Sequence, residues 1–495
     1  MKKIFFVLLL CSLFHFSASA QDDVSTYAAQ LNTGSLFTGR TTDVVPIESS
    51  DQAFLSLGVA DVDRVISLVY DTSYRIIYEM EAIRPATGAF KSVLGGVGKG
   101  VLFTYYFSNN RNTNFASITF DHRLRTSRVQ LYDLPLEKQT YLACFATEEK
   151  FYVLTIANHS SRLHLYPLEE YGLGQAQTFS FDEVTFERPQ LNLYHKLVLN
   201  ENKQRLSVNP LVKITDEVYN SFPLTQSLYK LYYEDRKIII TLDDVSHHTY
   251  VLMLDPATGD KKFFTTTQPL KDHPAGKFPR TNSFLYGQKI FQFAATTQEG
   301  ALTIRDLYSQ ELVQEYKFTR TESSIPFANT PLYRETPTQT SSAQTKEPSI
   351  KQLLSRMYNS RVALAVNADS SDRLVISIGS YQKVNTTGGG YMGGYTPGGT
   401  LNSPYGPVSL PGYFSSMYSW QQGTSNYKTT YFEGLLNDQT LAHETGELST
   451  PVLKKIDKYA KKLKNASAET VFNWNNKYYY GYYEPTSKQY HLVKF

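Results

Sequence analysis

Similar short blocks return along this chain, and their return limits its architecture more than any other feature. KGVLFTYYFSNNRNTNFASITFD from Lys99, EKFYVLTIANHSSRLHLYPL from Glu149, RKIIITLDDVSHHTYVLMLDPATGD from Arg236, QKIFQFAATTQEGALTIRDLYSQE from Gln288 and NKYYYGYYEPTSKQYHLVKF from Asn476 each read as strand, polar turn, strand. An aromatic or β-branched run gives way to a few polar residues, and a second apolar run often ends in an acidic turn, the pattern of a β-hairpin. Aromatic residues make up 14% of the 495, with 37 tyrosines, a composition that suits strands.

The turns repeat as well. Pro85, Ala86, Thr87 and Gly88 return as Pro256, Ala257, Thr258 and Gly259 behind Asp255. Asp opens such a turn, Pro presets the backbone and Gly takes the left-handed position, so both read as hairpin devices. Looser turns near Asp121, Pro167, Asn200, Asp306, Asp369, Asn437 and Pro485 give spacings of roughly 35–70 residues, clustering near the 40–50 of propeller blades. A blade is a four-stranded sheet that cannot bury both faces alone, so several pack radially. The fold class expected is all-β, a single propeller of about seven blades, with six or eight allowed.

LMLDPATGDKKF, Leu252 to Phe263, resembles the hydrophobic, Asp, two residues, Thr, Gly block of quinoprotein-like and YVTN-type β-propellers. The resemblance implies the propeller fold. The chain holds only Trp420 and Trp474, so the regular tryptophan ring of quinoproteins is missing and no quinone or other cofactor is expected.

MKKIFFVLLLCSLFHFSASA combines Lys2 and Lys3, an apolar core from Ile4 to Phe16, and the small residues Ala18, Ser19 and Ala20 before Gln21, the form of a secretory signal peptide. Cys11 follows Leu8, Leu9 and Leu10, where lipoprotein processing wants a small residue. A chain starting at Gln21 keeps one cysteine, Cys144, in YLACFA, which reads as a buried small hydrophobe. Of 49 basic residues two lie in the leader, leaving 47 against 46 acidic ones, so no net field favours nucleic acid. No later apolar run reaches the roughly 18 residues of a transmembrane helix. The expected address is periplasmic, outer-membrane associated or secreted.

The expected organisation is a leader over 1–20, a segment over 21–50 that contributes a closing strand, blades over 51–335, a low-complexity linker over 336–349 and further blades over 350–495. TPTQTSSAQTKEP, Thr336 to Pro348, carries no apolar periodicity and reads as that linker. SIKQLLSRMYNS follows, with Ile350, Leu353, Leu354 and Met357 on one helical face, a pattern for core packing. STPVLKKIDKYAKKLKN, Ser449 to Asn465, reads as a helix over 451–464, with Pro451 at its first position. Val452, Leu453, Ile456, Tyr459, Ala460 and Leu463 form an apolar seat. Lys454, Lys458, Lys461 and Lys462 make the other face basic, and peripheral contact with an anionic membrane is the alternative to a solvated face.

The last departure from the repeat is an insertion over 385–425. It stands between RLVISIGSYQKV from Arg373 and NYKTTYFEGLLND from Asn426, which resemble the two halves of a hairpin. Gly388 to Trp420 carries no charged residue. Its glycines deny it a packed element, while Tyr391, Tyr395, Tyr405, Tyr413, Phe414, Tyr418 and Trp420 supply contact area. It reads either as a locally self-packed loop or as a surface for protein, glycan or an outer-membrane component.

The search for chemistry is thin. His247 and His248 are adjacent and point to opposite faces of a strand. His159 and His164 flank a turn, Asp243 and Asp244 stand beside a strand, and NADSSD, Asn367 to Asp372, lacks the glycine and distant Glu of an EF-hand. No metal site is expected, no catalytic residue is assigned, and a site assembled across blades would escape linear motifs. The function that fits is an exported protein-interaction scaffold of the cell envelope or beyond, with an envelope or extracellular protein as partner. A carbohydrate-binding or carbohydrate-active propeller is the alternative, and the Tyr-rich strands with a terminal Phe495 leave an outer-membrane barrel as a third.

Overall fold

Seven separate sheets, antiparallel except for the short strand Leu211–Lys213 added in parallel to one of them, account for nearly all the strands of the computed structural model, arranged as seven propeller blades. The structure describes residues 22–31, 42–86, 89–90, 92–109, 111–187, 191–199, 211–214, 220–243, 247–271, 278–335, 348–369, 372–383, 400–403, 406–409, 427–449, 452–460, 462–463 and 466–495. We letter the strands of a blade A to D from the channel outward. Blade 1 is Asp43–Glu48, Phe54–Ala60, Arg64–Asp71 and Ile76–Ile83, and blade 2 is Ser92–Lys99, Leu102–Ser108, Phe115–Asp121 and Thr126–Tyr132. Blade 3 is Gln139–Ala146, Phe151–Ala157 and Arg162–Glu169, with Gly172–Leu173 and Gln177–Ser180 sharing the outer edge. Blade 4 is Tyr229–Glu234, Lys237–Leu242, His248–Leu254 and Lys261–Thr267; blade 5 is Arg280–Tyr286, Lys289–Ala295, Glu299–Asp306 and Leu312–Thr319. Blade 6 has Arg361–Ala368, Arg373–Lys383 and Tyr427–Asn437, its outer edge divided between Tyr333–Glu335 and His443–Glu444. Blade 7 is Ser467–Trp474, Lys477–Glu484 and Gln489–Lys494, and Asp22–Ala28 supplies its D strand.

That last pairing closes the ring. Asp22 stands opposite Lys494 and Ala28 opposite Gln489, joining the first and last described strands in one sheet. The blades begin at Asp43, inside the stretch assigned ahead of them. All five blocks quoted from the sequence are B–C hairpins, of blades 2, 3, 4, 5 and 7. Separate sheets, each with its own outer edge, replace the single closed cylinder that an outer-membrane barrel requires.

The acidic turn that ends many blocks has a local cause. At the end of strand C, Asp71 Oδ1 accepts from Ser73 N, Asp121 Oδ1 from Leu124 N, Asp306 Oδ1 from Tyr308 N and Asn437 Oδ1 from Thr440 N. Asp255 does the same for Ala257 N and Thr258 N, and Gly259 takes φ 79° to return the chain. These are Asx turns, in which the side chain holds the loop's own amides. One expected hairpin turn differs from the structure. Pro85 and Ala86 lie in the crossover from blade 1 to blade 2, not in a hairpin, because the strand before them is already the outermost. The turn expected near Pro167 falls at Glu170 and Tyr171, and Pro167 itself lies inside strand C of blade 3; the two short outer strands pair with residues 162–165 and 168–169, and on that edge Pro167 only accepts, its carbonyl taking the amide of Gly174.

Packing is between blades. One cluster joins Leu57, Leu68 and Tyr70 of blade 1 to Phe472, Trp474 and Tyr479 of blade 7, and others join blades 1 and 2, 2 and 3, and 3 and 4. The largest runs through blades 4 to 7. Gly96 lets the inner strands of blades 1 and 2 approach, since a Cβ there would stand 2.1 Å from Ile47 Cδ1. Helix α1 (Leu193–Val198) and helix α2 (Phe222–Thr225) lie between blades 3 and 4 in the chain, helix α3 (Ile350–Asn359) precedes blade 6 and helix α4 (Val452–Ala460) precedes blade 7.

Polar groups lock the same seams. Lys230, fully buried, donates to Ser227 O and Asn282 Oδ1 and lies 3.7 Å from Asp243 Oδ2. Asp243 also accepts from Thr249, Gln268 and both the amide and hydroxyl of Ser283, while Asn282 donates to Thr225 O and Val362 O. Blades 4, 5 and 6 are thereby joined, and burial holds the Lys230 ammonium down to about 8 despite Asp243. Removing the anion strands a buried cation, so Asp243→Ala is expected to lose about 3–5 kcal/mol in denaturant unfolding. Lys230→Met with Asp243→Leu is expected to lose less than Asp243→Ala alone; an equal or greater loss would show that the charge pair is not what matters.

Candidate interaction face

Because strands alternate in direction, B–C hairpins and D-to-A crossovers open on one side of the ring. All four described helices sit in crossovers ahead of an inner strand. In α3, Ser349 and Gln352 form a capping box, and Ile350, Leu353, Leu354 and Met357 are buried, so the helix packs as core. In α4, Ile456 is buried and Val452, Tyr459, Ala460 and Leu463 pack partly against the largest cluster, while Lys455, Lys458 and Lys462 are exposed. Lys461 and the side chain of Lys454 lie outside the described residues.

The B–C connections of the other blades take three to six residues; that of blade 6 takes residues 384–426. Strands B and C pair in continuous register from Arg373 opposite Asn437 to Lys383 opposite Tyr427, so the insertion springs from the tip of one hairpin. Tyr391, Tyr395, Tyr405, Tyr413, Phe414, Tyr418 and Trp420, the residues singled out for contact, lie outside the described residues, as does the leader. Within the insertion a two-stranded ribbon, Thr400–Ser403 with Gly406–Ser409, is described at the level of its backbone.

The other sequence candidates scatter. His247 lies 3.5 Å from Glu187 with its ring beside Phe278, and His248 stacks edge-on against Tyr250. His164 Nδ1 meets Thr178 Oγ1, and the His159 ring meets Tyr194. Asp243 is the seam residue described above, and Asp244 lies outside the described residues. In NADSSD, Asn367 Oδ1 accepts from Asn220 N and Asp369 pairs with Arg373 at 2.7 Å, while Ser370 and Ser371 lie outside the described residues. Cys144 is buried and free, its thiol pushed up by burial. Among the described residues no group of three or more His, Cys, Asp or Glu is placed to hold a metal ion, and no helix is long and apolar enough to cross a membrane.

One titrating group escaped the sequence reading. Glu469 sits on the inner strand of blade 7 where the register shifts between Ser467 and Thr470. Tyr480 donates its hydroxyl to the carboxylate, yet burial outweighs that bond and raises the acid from 4.5 to about 7. The folded chain therefore holds this proton to higher pH than the unfolded chain. Its contribution to stability is full below about 4.5 and declines as pH rises to about 7. Glu469→Gln is expected to remove that decline and to be about 1–3 kcal/mol more stable than the wild type at pH 8, with little difference at pH 4. Identical pH profiles of the unfolding midpoint would refute the assignment.

No protein-family model and no curated protein sequence matches the chain. Among solved structures, the β-propeller domain of Nup133 from Vanderwaltozyma polyspora aligns over 95% of this chain and 97% of its own, at 8% identity and a TM-score of 0.33. Hsv2 from Kluyveromyces lactis aligns over 92% and 98% at 7% identity and 0.31, and the WD40 domain of SCAP from fission yeast over 73% and 69% at 9% and 0.29. At such low identity and TM-scores these likenesses carry no argument about fold or function. By its own sheets this chain is a seven-bladed β-propeller.

Proposed function

We propose that the chain is an exported protein-interaction scaffold of the cell envelope or the extracellular space, using the insertion of blade 6 as its contact element. One observation carries this reading: a rigid ring, with B–C turns of three to six residues in six blades, interrupts the series once with residues 384–426. A long loop on a rigid scaffold is where binding concentrates. Aromatic side chains without charge supply contact area at low desolvation cost, the composition of an interface centre. The leader MKKIFFVLLLCSLFHFSASA supports export.

Proximity crosslinking in the native envelope tests the reading, comparing the full chain with a version lacking Gly388 to Trp420. A discrete protein partner lost on deletion is expected, and an unchanged set of partners would make the insertion passive. The mass of the purified chain is expected to correspond to a start at Gln21; a retained leader would overturn the soluble exported form.

A further inference from the structure

The outermost strand of a blade leaves one row of peptide groups without a ladder, and such an edge accepts a further strand unless charge or a broken outline defends it. Among the described residues, six of the seven outer edges are defended. Those of blades 3 and 6 are divided between two short strands. The outer strand of blade 1 exposes Glu79 and Glu81, that of blade 4 Lys261 and Lys262, that of blade 5 Glu315 and Lys317, and that of blade 7 Asp23. Thr126–Tyr132 of blade 2 differs. It ends its sheet, and its exposed positions are Thr126, Ser127, Val129 and Leu131, none of them charged. Arg128, the one charge in the strand, donates to Glu170 and lies over the Tyr171 ring at 4.2 Å, and it belongs to the alternate set of positions.

The residues that bracket this strand identify its occupant. Arg125 stands immediately before it and Asp133 immediately after it, and both are exposed. Run antiparallel about a two-fold axis at Val129, two such strands set Val129 against Val129, Ser127 against the second copy's Leu131, and Arg125 against the second copy's Asp133. Symmetry makes the charge pairing occur twice. Sliding the register by two residues in either direction takes the arginine away from the acid. A foreign strand has no need of this self-complementarity. We propose that a second copy of this chain pairs with the outer edge of blade 2, Thr126–Tyr132 against Thr126–Tyr132, so that two four-stranded blades join as one sheet of eight. The pairing gives partners to the edge peptide groups of both copies, covers Val129 and Leu131, and joins opposite charges at both ends. So narrow a contact belongs with weak, transient interfaces, and the chain exchanges between one copy and two. The inference stands apart from the interaction reading, since it uses the perimeter of blade 2 and not the insertion of blade 6.

Sedimentation of the purified full chain tests it. The weight-average mass is expected to rise from one chain toward two as concentration rises, and a one-chain mass throughout the soluble range would overturn the proposal. Val129→Lys sets like charges against each other across the axis and is expected to weaken association about tenfold or more. Because Val129 is exposed, the unfolding midpoint is expected to stay where it was. A dimer indifferent to that change has its interface elsewhere, which also overturns the proposal. The register is read separately. Arg125→Asp or Asp133→Arg alone is expected to weaken the dimer and the two together to restore it; a double variant as weak as either single one refutes the antiparallel pairing. A chain that stays single yet loses a crosslinked envelope protein on Val129→Lys would give the edge to a foreign strand and overturn the second copy as occupant.

Discussion

A four-stranded sheet with two apolar faces is stable only between neighbours, and everything else in this molecule follows from the need to complete a ring of them. The decisive contact is the pairing of Asp22–Ala28 with Gln489–Lys494. It fixes blade 7, whose Phe472, Trp474 and Tyr479 bury themselves against Leu57, Leu68 and Tyr70 of blade 1. Without that seam both blades would expose their inner clusters, since a sheet face loses its burial when its neighbour leaves. The strand that closes the ring is the first described element of the chain and its mate is the last, so closure joins the two described strands farthest apart in sequence.

Hydrophobic packing alone leaves the rotation of one blade against the next loosely specified, and the buried polar groups supply what is missing. Between blades 1 and 2 the Tyr105 hydroxyl meets Ser56, Ser56 meets Ser67, and Ser67 meets His122 Nε2 at 2.9 Å. Burial pushes His122 down to about 4, so the ring is neutral and acts as one more hydrogen-bonding group. Between blades 4, 5 and 6 the work falls to Lys230, Asp243 and Asn282. The two seams use unrelated residues for one purpose, because only geometry at each seam is constrained and not side-chain identity. That is why the repeat reads as degenerate.

The B–C hairpins were legible because their strands are buried and their turns are chemical: Asp71, Asp121, Asp255, Asp306 and Asn437 each write the end of strand C into the sequence. Outer strands were harder. IIYEMEAI of blade 1 alternates half-buried and exposed positions with apolar residues on both sides, including Ile83 at 83% exposure, so its periodicity misleads. The divided outer edge of blade 6 and the parallel strand Leu211–Lys213 depend on partners far along the chain and leave no local sign. Glu469 reads as an ordinary polar residue in SAETVFNW; its altered acidity comes from burial beside Tyr480, which no spacing announces.

Blade 6 explains why the insertion is tolerated there. Its B and C strands, Arg373–Lys383 and Tyr427–Asn437, run eleven residues where the B and C strands of other blades run six to eight. The extra three or so residues extend the ladder by about 10 Å. The outer edge of this longer sheet is held in three pieces: Tyr333–Glu335 near the tip, Asn329 donating its amide to Glu433 O and accepting from Leu435 N in the middle, and His443–Glu444 at the base. Support along the whole length keeps the two strands in register to their last pair, Lys383 opposite Tyr427. Residues 384–426 therefore start and finish on adjacent strands of a fixed hairpin. The entropy of closing so long a loop grows only slowly with its length, so the fold carries the insertion at little cost.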